Sequence, residues 1–401
     1  MSNFNQTPSG ERIHIAFFGL RNAGKSSLVN AFTGQELSIV SDVLGTTTDP
    51  VSKAMELLPL GPVQIIDTPG IDDEGALGEL RVQKTRNILR KADLAILVRD
   101  ASLPEQPAEQ ELLALIQAKE IPYIIANNKA DLLREIPPAE GNTLWVSALH
   151  GLHIHELKEL AAKIASAEKK DRPLIRDLLS PQDTVVLVVP IDEAAPKGRL
   201  ILPQQQTIRD ILEAEASAVV CKDTHLEATL RSLSAPPKLV VTDSQVFGKV
   251  SKIVPPSIPL TSFSILMARM KGDLPLAVAG AKALDTIRSG DKILIAEGCT
   301  HHRQCNDIGS VKIPNWIKDY TKAQPEFIFC SGQSFPENLK DFRLVVHCGG
   351  CMLNDKEMQY RLKQCKEEGI PVTNYGILIA YLNGILPRTL EPFPQIAEIL
   401  K

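Results

Sequence analysis

Aromatic side chains are scarce in this 401-residue chain, at 4% of the total. No stripe of lysine and arginine with aromatics between them occurs, so a stacking surface for nucleic acid is not expected. Basic residues are not in excess either: 44 Lys and Arg stand against 48 Asp and Glu, a formal net charge of −4. That balance argues against a polyanion-binding face. No stretch approaches the roughly 18–20 continuous apolar residues that cross a bilayer, so no membrane contact is expected. The opening "MSNFNQTPSGERIHIAFFG" has no basic flank ahead of an apolar core, and the expectation is a cytoplasmic chain without a secretory signal. Cysteine is sparse and odd in number, seven in all. In a reducing compartment, thiols that cluster serve metals or redox chemistry more often than disulfides. Cys221, Cys330 and Cys365 stand alone and read as small core residues.

The length exceeds what one core fills, so two or three domains are expected. The first begins with a buried strand, "IHIAFFG", followed directly by "GLRNAGKSSLVNAFTG". Gly19, Gly24, Lys25 and Ser26 match G-x-x-x-x-G-K-[ST] in the strand–loop–helix setting the motif requires. Glycines let the backbone curl its N–H groups inward around phosphate, and the helix starting near Lys25 adds its dipole. Lys25 reaches the terminal phosphates, and the Ser26 hydroxyl, with Ser27 beside it, points to magnesium.

Three further motifs follow in order. "VQIIDTPG" is a strand ending in Asp67-Thr68-Pro69-Gly70, where Asp67 would hold the metal through water and the Gly70 N–H would sense a γ-phosphate. "PYIIANNKADL" ends in Asn128-Lys129-Ala130-Asp131. An aspartate there accepts paired hydrogen bonds from guanine N1 and N2, which adenine does not supply, so Asp131 selects GTP or GDP. "LWVSALHG" brings Ser147-Ala148-Leu149, whose backbone would meet guanine O6. Each motif alone is weak; four in order with strands between them specify a GTPase.

"SDVLGTTTDP" resembles the Gly-Thr-Thr-x-Asp switch of translation-factor-related GTPases such as TrmE and Era. That resemblance makes Thr47 the magnesium threonine ahead of Thr46 and Thr48. Ile71 stands where Ras-like proteins place a water-orienting glutamine, which implies slow hydrolysis. Asn22 matches the asparagine with which potassium-activated relatives hold a monovalent cation, a source of the charge an arginine finger otherwise brings. The alternative is that Asn22 only stabilises its loop.

Prolines and mixed charge near residues 170–182 suggest a linker. After it, "TVVLVVPID", "SAVVCKD" and "KLVVTD" read as strands, with helical periods between them. No nucleophile–base pair or charged cluster is visible, and His225 reads as a capping or surface residue. An interaction role such as pairing through a sheet edge is the default.

The last region reads as one long helical segment, "ILMARMKGDLPLAVAGAKALDTIRSG", followed by two strands that each end in sulfur and imidazole. "DKILIAEG" leads to Cys299-Thr300-His301-His302, and "FRLVVHCGGC" delivers His347, Cys348 and Cys351. In a parallel α/β sheet both loops lie at strand carboxyl ends, where sites are built. Three convergent cysteines leave a four-coordinate centre one ligand short. His301, His347, Asp307 or nothing permanent could complete it, with Cys305 a nearby thiol. Three chemistries stay open: a Cys₃His structural zinc, a thiol–disulfide couple, or an iron–sulfur cluster with a labile corner.

The ordered set Cys299-x-His301, a long spacer, then His347-Cys348-x-x-Cys351, on a chain that starts with a GTPase, resembles the HydF family of [FeFe]-hydrogenase maturation GTPases. The resemblance runs over essentially the whole chain. It implies an α/β architecture: a P-loop GTPase domain with a parallel-type sheet at 1–170, a small α/β dimerisation domain at 182–264 and an α/β cluster-binding domain at 265–401. It further implies a [4Fe–4S] cluster on Cys299, Cys348 and Cys351, with His301 and His347 as fourth ligand or supporting donors. The implied role is a homodimeric scaffold that works with two radical-SAM maturation enzymes. It would hold a diiron precursor and deliver it to apo [FeFe]-hydrogenase. Two rivals remain: a ribosome- or tRNA-associated GTPase with a structural zinc domain, and a thiol-redox sensor coupled to a GTPase.

Overall fold

A computed structural model describes residues 7–35, 51–70, 85–168, 172–191, 200–298, 307–332 and 334–400. Thr46, Thr47, Thr48, Ile71, Cys299, His301, His302 and Cys305 lie outside the described residues. The chain divides into two compact units, Met1–Asp171 and Arg172–Lys401.

The first unit is built on strands β1 (Ile13–Gly19), β2 (Val51–Leu57), β3 (Gly61–Asp67), β4 (Leu94–Asp100), β5 (Tyr123–Asn128) and β6 (Thr143–Trp145). Their order is β2-β3-β1-β4-β5-β6. Side chains alternate across β1, as the two-residue period of a strand requires. Ile15 and Phe17 pack with Leu28 and Phe32 of helix α1 (Lys25–Thr33), and with Leu157 and Ala161 of a helix at Ile154–Glu168. Ala16 and Phe18 face the other way, onto Leu112 and Ile116 of the Pro107–Ala118 helix. In chain order these two helices are α2 (Pro107–Ala118) and α3 (Ile154–Glu168). The sheet is not wholly parallel. β2 runs antiparallel to β3, Val51 opposite Asp67 and Leu57 opposite Gly61, because only a short turn joins them and a parallel return needs a crossover.

The second unit contains two four-stranded sheets, both wholly parallel. One comprises β7 (Thr184–Val188), β8 (Ser217–Cys221), β9 (Leu239–Thr242) and β10 (Leu260–Ser262), in the order β10-β9-β7-β8. The other comprises β11 (Lys292–Glu297), β12 (Glu326–Ser331), β13 (Phe342–His347) and β14 (Val372–Asn374), in the order β12-β11-β13-β14. Each therefore repeats the same topology, with its first and third strands adjacent at the centre.

Helices α4 (Leu202–Glu213), α5 (Leu226–Ser232), α6 (Phe247–Ile253) and α7 (Phe263–Met270) accompany the first of these sheets; α8 (Leu274–Ala281), α9 (Ile313–Thr321), α10 (Asp355–Glu367) and α11 (Tyr375–Leu382) accompany the second. Ile293 and Ile295 of β11 pack on Ile313 and Ile317 of α9. Leu294 and Ala296 face Met358 and Leu362 of α10. The connections after β11 and β13 thus pass to opposite faces, which opens a crevice between those two strand ends. One apolar core joins the halves of this unit, running from Val185–Val188 through Leu266 and Val278 to Ile377 and Ala380.

Two sequence expectations are corrected here. The linker near 170–182 is partly core: Leu174 and Ile175 are buried, and the Ile175 N–H donates to Asp210 Oδ2 at 2.7 Å. The long helical segment is broken into α7 and α8. At Gly272 an added Cβ would come within 2.7 Å of the Ala268 carbonyl oxygen, and Asp273 starts the new helix by accepting the Leu276 N–H at 2.9 Å. Cys330 and Cys365 are buried core residues and Cys221 packs half-buried against the core. His225 precedes α5, with its ring 3.0 Å from the Thr224 hydroxyl.

Candidate functional site

The loop between β1 and α1 occupies the carboxyl end of the central strand of the first unit. Gly24 there has φ 79°, and a Cβ on it would collide with the Asn128 amide nitrogen, so only glycine closes this turn. Gly19 is similarly restricted, since a Cβ would meet the Val98 carbonyl. Asn22 also takes a left-handed conformation, φ 62°, and is exposed.

Lys25, Ser26 and Asp67 converge. The Ser26 hydroxyl donates to Asp67 Oδ2 at 2.8 Å, and Lys25 Nζ stands 3.8 Å from Asp67 Oδ1. Asp67 is 2% exposed, and its Oδ1 accepts no hydrogen bond among the described residues. A buried carboxylate oxygen left without a donor beside a serine hydroxyl is the donor set of a hydrated divalent cation. Thr68 anchors the strand end, its N–H and hydroxyl donating to the Phe17 carbonyl at 3.2 and 2.8 Å. Gly70 follows at the limit of the described stretch.

The β5 end is tied to the same loop. Asn128 Nδ2 donates to the Ala23 carbonyl at 3.0 Å and lies 3.4 Å from that of Gly24; its Oδ1 accepts the Ala148 N–H at 3.0 Å. Lys129, at φ 63°, pairs with Asp100 Oδ2 at 2.5 Å. Burial pushes the Asp100 carboxyl upward, but Lys129 and Ser102 outweigh it and hold the group below the usual carboxylate range. Asp100 was not singled out from sequence, although it ends β4 in register with Asn128. A hydrogen bond from Ser147 holds the Asp131 carboxyl below its ordinary range, and Ser147 Oγ also accepts the His150 N–H at 3.2 Å. The phosphate loop and both base-recognition segments are therefore brought together.

The sulfur residues lie at the crevice between β11 and β13. The Cys348 N–H donates to the Ala296 carbonyl at 2.8 Å, and Cys348 Sγ accepts the N–H of Gly298 at 3.0 Å and of Gly350 at 3.4 Å. Burial pushes the Cys348 thiol up to about 11 despite these donors. Burial also raises Cys351, opposed by the nearby Lys271 charge. The donor set is thus two partly buried thiols, with two backbone N–H groups aimed at the sulfur of Cys348, the kind of support that orients a thiolate ligand. Among the described residues, no three His, Cys, Asp or Glu side chains gather as a metal site.

His347 is 1% exposed, with both ring nitrogens engaged. Nδ1 lies 2.8 Å from the Cys348 carbonyl, so it carries the proton and donates; Nε2 lies 3.1 Å from Arg361 Nη1 and accepts. In this arrangement the ring is a hydrogen-bonding support for the Cys348 end of the turn, one of the two roles expected of His347, as fourth ligand or supporting donor. Burial and the Arg361 charge lower its pKa to about 3, keeping the ring neutral. Arg361 is itself buried, bound to Glu357 Oε1 at 2.8 Å and to the Gly332 carbonyl at 2.5 Å, and stacked 4.9 Å over Phe335. Asp307 is spent on Ser310, accepting its N–H at 2.8 Å and its hydroxyl at 2.9 Å. Sequence reading missed Arg361 and Lys271, because their contacts join distant chain positions.

No helix among the described residues is long and apolar enough to cross a membrane. Comparison with known proteins divides the chain in three. Residues 14–129 match the family model "50S ribosome-binding GTPase", 174–272 "Hydrogen maturase F dimerization domain", and 275–392 "Hydrogen maturase F tetramerization domain". Curated relatives include GTPase Der of Wolinella succinogenes, 35% identical over 41% of this chain and 38% of that protein. The tRNA modification GTPase MnmE of Xanthomonas oryzae pv. oryzae is 40% identical over 37% of this chain and 34% of that one. The chain thus spans little more than a third of these relatives' length. Among solved structures, a point variant of Aquifex aeolicus Era bound to GDP and aluminium fluoride gives a TM-score of 0.35, with 21% identity over 52% of this chain and 92% of that one.

Proposed function

The chain belongs to the HydF family, and from that membership we propose that it is a GTP-hydrolysing scaffold carrying an iron–sulfur cluster for hydrogenase maturation. Cys299, Cys348 and Cys351 would hold a [4Fe–4S] cluster with one exchangeable corner. The observation that carries this reading is the 3.0 Å hydrogen bond from the Gly298 N–H to Cys348 Sγ. Gly298 is bonded to Cys299, and consecutive Cα atoms lie only about 3.8 Å apart. That hydrogen bond sets Gly298, at the end of β11 and one residue ahead of Cys299 in the sequence, against Cys348, which supports a site shared by the two cysteines. The cluster would supply a coordination position for a diiron precursor, and the thiol loops would hold and shield it.

In the first unit, Lys25 would bind the terminal phosphates and the Gly70 N–H would meet the γ-phosphate. Ser26, Asp67 and Thr47 would hold magnesium, and Asn22 potassium. Magnesium would neutralise phosphate charge. Asn128, Lys129, Asp131, Ser147 and Ala148 would recognise guanine, with Gly19, Gly24 and Ser27 completing the phosphate loop. Ile71 offers no group to orient water, so turnover would be slow and the nucleotide would time partner docking more than drive chemistry. The partners would be apo [FeFe]-hydrogenase and radical-SAM maturation enzymes, with the chain itself a dimer or larger assembly. The ribosome- or tRNA-associated reading draws only on the GTPase part, since the curated relatives match about two-fifths of the chain or less.

The test is maturation of apo-hydrogenase by protein loaded with diiron precursor. Cys348→Ser should abolish activation while leaving GTP hydrolysis near wild type. Lys25→Ala should stop hydrolysis and leave iron uptake intact. Full activation by folded Cys348→Ser would refute the proposal.

A further inference from the structure

Lys271 ends α7, before the whole of the cysteine-bearing sheet, yet it is 3% exposed and points into the cysteine turn. Its Nζ donates to the Leu353 carbonyl at 3.1 Å and lies 3.5 Å from that of Cys351. Its own backbone is held in turn: Gln359 Nε2 of α10 donates to the Lys271 carbonyl at 2.7 Å and to that of Gly272 at 3.2 Å. The break at Gly272 is what ends α7 here. Lysine is almost never so deeply buried unless its ammonium is hydrogen-bonded and its charge is answered. The two carbonyl dipoles are among the groups that answer it.

We propose that Lys271 is a positioning residue of the cluster site, clamping the Cys351 end of the turn and setting a fixed positive charge beside the bound cluster. This rests on the cluster reading above and adds to it a residue from the segment that matches the dimerization-domain model. The peptide plane explains the first role. Fixing the Cys351 carbonyl outward fixes the Met352 N–H in the opposite direction. His347 does the same at the other end by holding the Cys348 carbonyl. Both ends of Cys348–Cys351 are thus held through their carbonyl oxygens, while Cys348 Sγ accepts the Gly298 and Gly350 N–H groups. The second role is electrostatic. Reduction adds negative charge to a cluster, and a nearby cation in a water-poor site favours the reduced form. The dimerisation domain, which ends in Lys271-Gly272, thereby becomes part of the site.

The test uses the full chain reconstituted anaerobically with iron and sulfide, in wild type, Lys271→Met, Lys271→Gln and Lys271→Arg. Reduction potential and the rate of iron loss to a chelator are measured, with GTP hydrolysis as the check that the rest of the chain is intact. Lys271→Met should lower the potential by about 59 mV, a tenfold change in the one-electron ratio, and speed iron loss by a similar factor. Lys271→Gln, which keeps a donor but no charge and is the better folded choice should methionine fail, should lower the potential as far. Lys271→Arg should restore it. A wild-type potential in Lys271→Met or Lys271→Gln, or an equal fall in Lys271→Arg, would overturn the fixed charge, and wild-type iron retention in Lys271→Met would overturn the clamp. Wild-type protein that takes up no iron would refute the cluster reading itself, and the clamp with it.

Discussion

Replacing Asn128 by alanine should unfasten the nucleotide site without removing any group that touches the reacting phosphate. The side chain is 2% exposed and joins two loops by three contacts: Nδ2 to the carbonyls of Ala23 and Gly24 at 3.0 and 3.4 Å, and Oδ1 from the Ala148 N–H at 3.0 Å. Alanine strands the Ala148 N–H and one face of the Ala23 carbonyl. A buried donor or acceptor left unpaired costs about 1–3 kcal/mol, the carbonyl less because it has two lone pairs. The sum is about 2–4 kcal/mol. Expressed at the site alone, that weakens GDP binding by roughly 30- to 700-fold. Expressed in unfolding of the GTPase unit, it lowers the melting temperature by about 5–15 °C. Fluorescent-GDP displacement and thermal unfolding, with and without GDP, separate the two. Affinity within about threefold of wild type and melting within about 2 °C would refute the view that Asn128 fastens these loops.

Three other outcomes follow from the same geometry. Asp131→Asn should exchange guanine for xanthine, because an amide donates to a 2-oxo group where a carboxylate accepts from a 2-amino group; competition between GDP and xanthosine diphosphate reads this, and an unchanged guanine preference would contradict it. Hydrolysis should fall sharply when sodium replaces potassium, and equal rates in both salts would remove Asn22 as a cation ligand. In iron-free protein, Cys348 with a thiol pushed up to about 11 is ionised in only about one molecule in a thousand at pH 8. Its alkylation, followed by peptide mass analysis, should be slow and rise about tenfold per pH unit. A plateau near pH 9 would contradict the buried setting described for that sulfur.

The nucleotide site was legible because its determinants are local. Each motif sits at the end of a strand whose continuous apolar run announces burial on both faces, and the intervals fix which turn carries which group. The placement of Cys348 and Cys351 was legible on the same ground, since "FRLVVH" reads as a buried strand. The antiparallel β2 edge was not, because residues 51–57 carry no directional signal. The break between α7 and α8 was signalled but not read: Gly272, the capping Asp273 and the first-turn Pro275 mark a helix boundary, while the helical period runs on through Met270-Lys271. Arg361 and Lys271 look like ordinary cations of amphipathic helices. Their roles come from contacts 14 and 82 positions away, which no local pattern encodes. His347 shows the limit most sharply. Motif spacing made it a candidate ligand or supporting donor, and its bonds to the Cys348 carbonyl and to Arg361 are contacts that the motif does not encode.

In the proposed function, thiols from two strand ends meet at one iron-bearing centre. Metal and acid-labile sulfide analysis of anaerobically reconstituted protein, with electron paramagnetic resonance after reduction, tests it most directly. About four iron and four sulfide per chain are expected, falling to near background in Cys299→Ser and in Cys348→Ser alike. Stoichiometric zinc without iron, or a full cluster in either variant, would contradict it.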